Sequence, residues 1–152
     1  MGGRQVSARS VGQLSMRWSL IAAVFLVAHP ALADEPADPC LKAIQESAHV
    51  ASWSELQSFR EKFRSCPDDG VYAEIYSDLV TTILSNSWTS LAELDALASH
   101  DPTYLNFVLK HIDVTSPGDR LDRIEKLAKG SCPPKLTALC EKISTAVAQI
   151  EP

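Results

Sequence analysis

Residues 68–85 read Asp68-Asp69-Gly70-Val71-Tyr72-Ala73-Glu74-Ile75-Tyr76-Ser77-Asp78-Leu79-Val80-Thr81-Thr82-Ile83-Leu84-Ser85. Apolar side chains fall at 71, 72, 75, 76, 79, 80, 83 and 84, a stripe two residues wide at the helical period. A stripe that broad needs partners on more than one side, so the stretch predicts the central helix of an all-α core. Asp68 and Asp69 precede it, where negative charge suits the positive end of a helix. Glu74, Asp78, Thr81 and Ser85 are expected on the opposite, solvated face.

Working outward, every neighbouring stretch keeps the same period. Leu41, Ala43, Ile44 and Ala48 mark a short first helix. Ser52-Trp53-Ser54-Glu55 has the form of a capping box, and Leu56, Phe59 and Phe63 continue its helix to Cys66-Pro67, where proline disfavours further helix. Beyond the central helix, Ser87-Trp88 leads into Leu91, Leu94 and Leu97. Asp101 then reads as a cap with Pro102 at the first helical position, ahead of Tyr104, Leu105, Val108, Leu109 and Ile112. Ser116-Pro117-Gly118-Asp119 opens a helix bearing Leu121, Ile124 and Leu127. On its outer side Asp119, Asp122 and Glu125 stand four residues before Arg123, Lys126 and Lys129. Gly130 ends it, and Pro133-Pro134 starts a last helix through Leu136, Leu139, Ile143, Val147 and Ile150. The expected fold is a small all-α domain of six to seven helices.

These helices also align weakly with one another. Leu56, Leu91 and Leu121 head similar apolar triplets at steps of 35 and 30 residues, each followed by a proline-marked break. Ser52-Trp53 and Ser87-Trp88 repeat at an offset of 35. Such periods suit stacked helical hairpins, although any all-helical chain with short loops aligns with itself to some degree. An antiparallel bundle and a stack of hairpins are therefore both compatible with the pattern.

The first 33 residues read as a cleavable export signal. Arg4, Arg9 and Arg17 form the basic part, Trp18 to Ala28 the apolar run, and Ala31 with Ala33 a small-residue cleavage site before Asp34-Glu35. Met16 is an alternative start. The apolar run is about half the ~20 residues that a membrane span needs, so no membrane association is expected after cleavage. Residues 34–152 then form a single domain whose expected location is periplasmic or secreted. All four cysteines lie in it, and in an oxidising compartment they are expected to pair as Cys40–Cys66 and Cys132–Cys140, each joining neighbouring elements.

Removing the signal leaves eleven Lys and Arg against nineteen Asp and Glu, a net charge of −8. No Lys or Arg occurs from Ser65 to Leu109. This acidity opposes nucleic-acid binding and favours a basic protein partner, although it also simply keeps a secreted protein soluble. The candidate partner-binding residues are Asp68, Asp69, Glu74 and Asp78, with Trp53 and Trp88 as apolar anchors; the plainer account of both tryptophans is that they cover helix ends.

No catalytic residue, metal site or cofactor is expected. Ser99-His100-Asp101 has the composition of a triad, but consecutive residues cannot easily aim at one another as a triad requires. Glu93 with Asp95 lacks the burial that would set two carboxyl pKa values apart. His49, His100 and His111 are scattered, and no Cys or His pair has zinc-ligand spacing. The function expected is a non-enzymatic binding module, with an immunity or inhibitor protein acting on a basic secreted toxin or cell-wall hydrolase as the concrete form. The alternative is a small-ligand carrier with an apolar pocket near Tyr72, Tyr76, Tyr104 and Phe107.

Overall fold

Helix starts in this protein are set locally, by a side chain or a proline that deals with amides the helix leaves unpaired. The computed structural model describes residues 38–150. The export signal and its cleavage site lie outside the described residues. At the start of α1 (Pro39–Ser47), Asp38 accepts the Cys40 amide at 2.8 Å with Pro39 in the first turn. α2 (Trp53–Lys62) carries both halves of the capping box: the Ser52 hydroxyl accepts the Glu55 amide, and Glu55 accepts the amides of Ser52 and Ala51. α3 (Gly70–Asn86) is the long central helix; Asp69 stands at its cap position without a capping hydrogen bond, and the chain enters through Gly70 at φ 49°.

A 3₁₀ turn, Trp88–Ser90, leads into α4 (Leu91–His100). Asp101 caps α5 (Pro102–Lys110) by accepting the Thr103 amide at 2.9 Å. α6 (Gly118–Gly130) follows, and a second 3₁₀ turn, Pro134–Leu136, precedes α7 (Thr137–Ala148). The described residues thus form seven α-helices and no strand. The disulfides are Cys40–Cys66 and Cys132–Cys140, as the spacing led one to expect.

The core takes Trp53, Leu56 and Phe59 from α2, Val80, Ile83 and Leu84 from α3, Leu91 and Leu94 from α4, Tyr104 and Val108 from α5, Ile124 from α6 and Ile143 from α7. Two expectations about α3 and α6 are corrected. Thr81 and Ser85 are not solvated: α6 lies along α3, and Arg120 Nη1 donates to Thr81 Oγ1 at 3.2 Å. Along α6, Glu125 pairs with Lys129, while the expected pairs Asp119–Arg123 and Asp122–Lys126 do not form. A regular hairpin stack would set second helices against second helices. Here α2 packs on α4 and α5 on α7, as such a stack would have it, but α3 runs against α6, which begins a later hairpin, and so departs from the regular pattern.

α1 is the least embedded element. Of its residues only Ala43 is buried, and Leu41 and Ile44, assigned to its apolar face from sequence, are 57% and 39% exposed. Its attachment rests on the Cys40–Cys66 bridge, packing against α3, and an ion pair of Glu46 with Lys62 of α2.

Candidate functional site

The four acidic residues singled out from the sequence fall into two pairs. Asp68 and Asp78 are engaged by cations from later helices: Lys110 donates to Asp68 at 2.7 Å, and Arg120 donates to the Asp78 carboxylate at 2.7 Å and its carbonyl at 3.2 Å. Asp69 and Glu74 are exposed and make no ion pair among the described residues. Asp78 remains open to solvent despite Arg120, its side chain being 63% exposed. The basic residues absent between Ser65 and Leu109 are thus partly supplied in space by α5 and α6.

Trp53 and Trp88 do not present their rings to a partner, because both are buried in the core. Trp88 donates its indole N–H to the Ser131 carbonyl at 3.0 Å, tying the turn after α3 to the end of α6. The sequence resemblance between Ser52-Trp53 and Ser87-Trp88 is not structural. Ser52 caps an α-helix, whereas Ser87 makes no capping bond and precedes a 3₁₀ turn.

Glu74 and Asp78 form one wall of a groove of about 510 Å³ between α3 and the end of α1. Its apolar lining comes from Ala48 and Val50 on one side and from Val71, Ile75 and Leu79 on the other. Val71 is 50% exposed, one of four large apolar side chains that stand open among the described residues, with Leu41, Ile44 and Val114. Among five surface grooves, this is the one whose charged lining residues carry a single sign. The groove between α2 and α5, about 600 Å³, mixes Arg60, Arg64 and Lys110 with Glu61 and Asp68. There Arg60 lies over the Phe107 ring at 4.8 Å from its centre and 3.9 Å from Asp101, just as Arg120 matches Asp78 at 2.7 Å in the first groove, where Glu74 is the acid left without an ion pair.

A second cluster, buried, was not legible as a unit in the sequence. His111, at the end of α5, is 1% exposed; its Nδ1 is 3.4 Å from Ser77 Oγ on α3 and its Nε2 3.1 Å from Asp68 Oδ1, without hydrogen-bond alignment on that side. Ser77 Oγ is 2.9 Å from the Ala73 carbonyl and donates to Asp113 at 2.7 Å. Burial lowers the His111 pKa, against the opposing pull of Asp68 and Asp113. Burial alone would raise Asp113, but hydrogen bonds from Thr115 and Ser77 outweigh it and hold the carboxyl below its usual range. The order Asp68, His111, Ser77 is that of a hydrolase triad, yet Ser77 is 1% exposed and out of a substrate's reach. In this conformation the cluster ties α3 to the end of α5. The sequence-adjacent Ser99, His100 and Asp101 form no relay: Ser99 bonds back to the Asp95 carbonyl and Asp101 caps α5.

Of the aromatic residues proposed for a ligand pocket, Tyr76 and Phe107 line the groove between α2 and α5 and pack on each other there. Tyr104 is fully buried, with its hydroxyl donating to the Trp53 carbonyl at 2.7 Å, and Tyr76 stands edge-on to Phe59 and Phe107. No described helix is long and apolar enough to cross a membrane. No protein-family model, curated protein or solved structure matches the chain.

Proposed function

We propose that this chain is an exported, non-enzymatic protein-binding module of the immunity or inhibitor kind, which acts in the periplasm or outside the cell on a basic secreted toxin or cell-wall hydrolase. The observation that carries the reading is the groove between α1 and α3, with half-exposed Val71 beside the like-charged Glu74 and Asp78. Buried apolar contact supplies affinity at such a surface, while the carboxylates steer and select a cationic partner. The basic, apolar, small-residue order of residues 1–33 supports export, and the two disulfides suit an oxidising compartment.

The test is affinity recovery of the oxidised protein with its bound partner, identified by mass spectrometry, followed by assay of that partner. The expected result is a protein of high isoelectric point whose toxic or hydrolytic activity falls on stoichiometric addition of this chain. A recovered small molecule with no protein, or a partner whose activity is unaffected, overturns the reading.

A further inference from the structure

We infer that the groove between α2 and α5 is a second binding site, which takes a small organic acid: a single carboxylate carried on an aromatic or similarly flat apolar body. It shares no lining residue with the groove beside α1, and the inference does not depend on the protein-binding reading. The floor is aromatic. Phe63, Tyr76 and Phe107 are buried yet reach the groove, whose volume of about 600 Å³ falls in the range of small-molecule sites. Tyr76 is only 7% exposed, and its hydroxyl has no hydrogen-bond partner among the described residues. Burial raises the pKa of that hydroxyl, Asp68 adds to the rise and Arg60 opposes it; both charges line the same groove, so the hydroxyl is turned towards it. The Tyr104 hydroxyl, by contrast, is engaged by the Trp53 carbonyl. An unpaired hydroxyl at the base of an aromatic floor marks the place of a ligand's polar atom, since leaving it unmatched is costly.

Arg60 supplies the matching donors. Of the five grooves described, this one alone has arginine in its lining. Arg60 is held over the Phe107 ring and faces Asp101 at 3.9 Å, but it donates no hydrogen bond among the described residues. A partly exposed pair at that separation contributes little and leaves the guanidinium fork open. Asp101 is meanwhile committed to Thr103, whose amide and hydroxyl both donate to it at the cap of α5. A guanidinium steadied on a ring offers paired N–H groups, the geometry that a carboxylate accepts at two points. The other charges cancel: Lys110 donates to Asp68 at 2.7 Å, and at the rim exposed Arg64 stands with exposed Glu61. Selection therefore rests on hydrogen bonding and not on a strong positive field, which suits a single carboxylate better than the double charge of a phosphate.

The probe is phenylacetate, with phenylacetamide as its neutral counterpart and inorganic phosphate as a second anion. Amide chemical shifts of the oxidised protein are followed through a titration of each. Phenylacetate is expected to bind with a Kd of about 1 mM and at least about fivefold tighter than the amide, the shifts concentrating on Arg60, Phe63, Tyr76 and Phe107. Tyr76→Phe removes a hydroxyl that the fold leaves without a partner, so the thermal midpoint should hold or rise slightly while the preference for the acid falls. Arg60→Gln should abolish that preference. Equal binding of acid and amide, tighter binding of phosphate than of phenylacetate, shifts confined to another groove, or a preference that survives both substitutions overturns the assignment. None of these results touches the protein-binding reading, whose test is the recovered partner.

Discussion

His111 is a titratable group held where water cannot reach it. Its surroundings contain Asp68 and Asp113, which favour the imidazolium, Lys110, which opposes it, and the Tyr76 ring 5.3 Å away; burial is the largest influence and keeps the ring neutral. An unfolded histidine titrates near ~6.5, so below that pH the unfolded chain takes up the proton before the folded one does. Stability should therefore hold steady above about pH 7 and fall as pH drops through ~6.5 toward the depressed folded value. Urea unfolding at a series of pH values checks this, and His111→Gln should flatten that window. Losses from Asp113 and Asp101, whose folded pKa values are lowered, belong to more acid conditions, below their usual range near ~4. Tyr104→Phe should cost about 1–3 kcal/mol, since it leaves the buried Trp53 carbonyl without that donor. None of these contacts is legible from spacing. Ser77 and His111 are 34 residues apart, and only the packing of α3 against the end of α5 turns a scattered histidine into part of a network.

At the scale of elements, what the sequence disclosed is what neighbouring residues decide. The Ser52–Glu55 box and the Asp101-Pro102 start are local hydrogen-bond chemistry, and both form as read. Ser52→Ala should destabilise by about 1 kcal/mol, measured by chemical denaturation. Less visible is Glu93 of α4, which accepts the Ser54 amide at 2.9 Å and so completes the start of α2 from another helix. Its sequence context offered only an acid beside Asp95. Gly70→Ala should cost roughly 1 kcal/mol although open space surrounds the position, because φ 49° disfavours any side chain. The wet face assigned to α3 failed at Thr81 and Ser85 because small polar residues read as solvated until another helix is known to lie over them. A serine or threonine can bond back within its own helix, as Thr81 does to the Ser77 carbonyl at 2.7 Å, and so tolerate burial that a carboxylate would not.

For the molecule as a whole, fold class and disulfide pairing were legible because apolar period and cysteine spacing are properties of the chain itself. The candidate groove was legible only in part. Glu74 and Asp78 were marked by charge, whereas Val71 was assigned to the core and instead stands half open at the first turn of α3. Replacing Cys40 and Cys66 together by serine should lower stability by roughly 3 kcal/mol, or less where the chain-entropy model overestimates. The sharper expected effect is local: faster amide hydrogen exchange across α1 than across α6, readable by mass spectrometry. One wall of the groove depends on that tethered helix, which buries little of its own surface. A chain that has not yet met an oxidant would therefore lack the covalent tether of that wall. On the function proposed above, the Cys40–Cys66 bond would act as a time stamp, fastening that wall only in a compartment oxidising enough to form it.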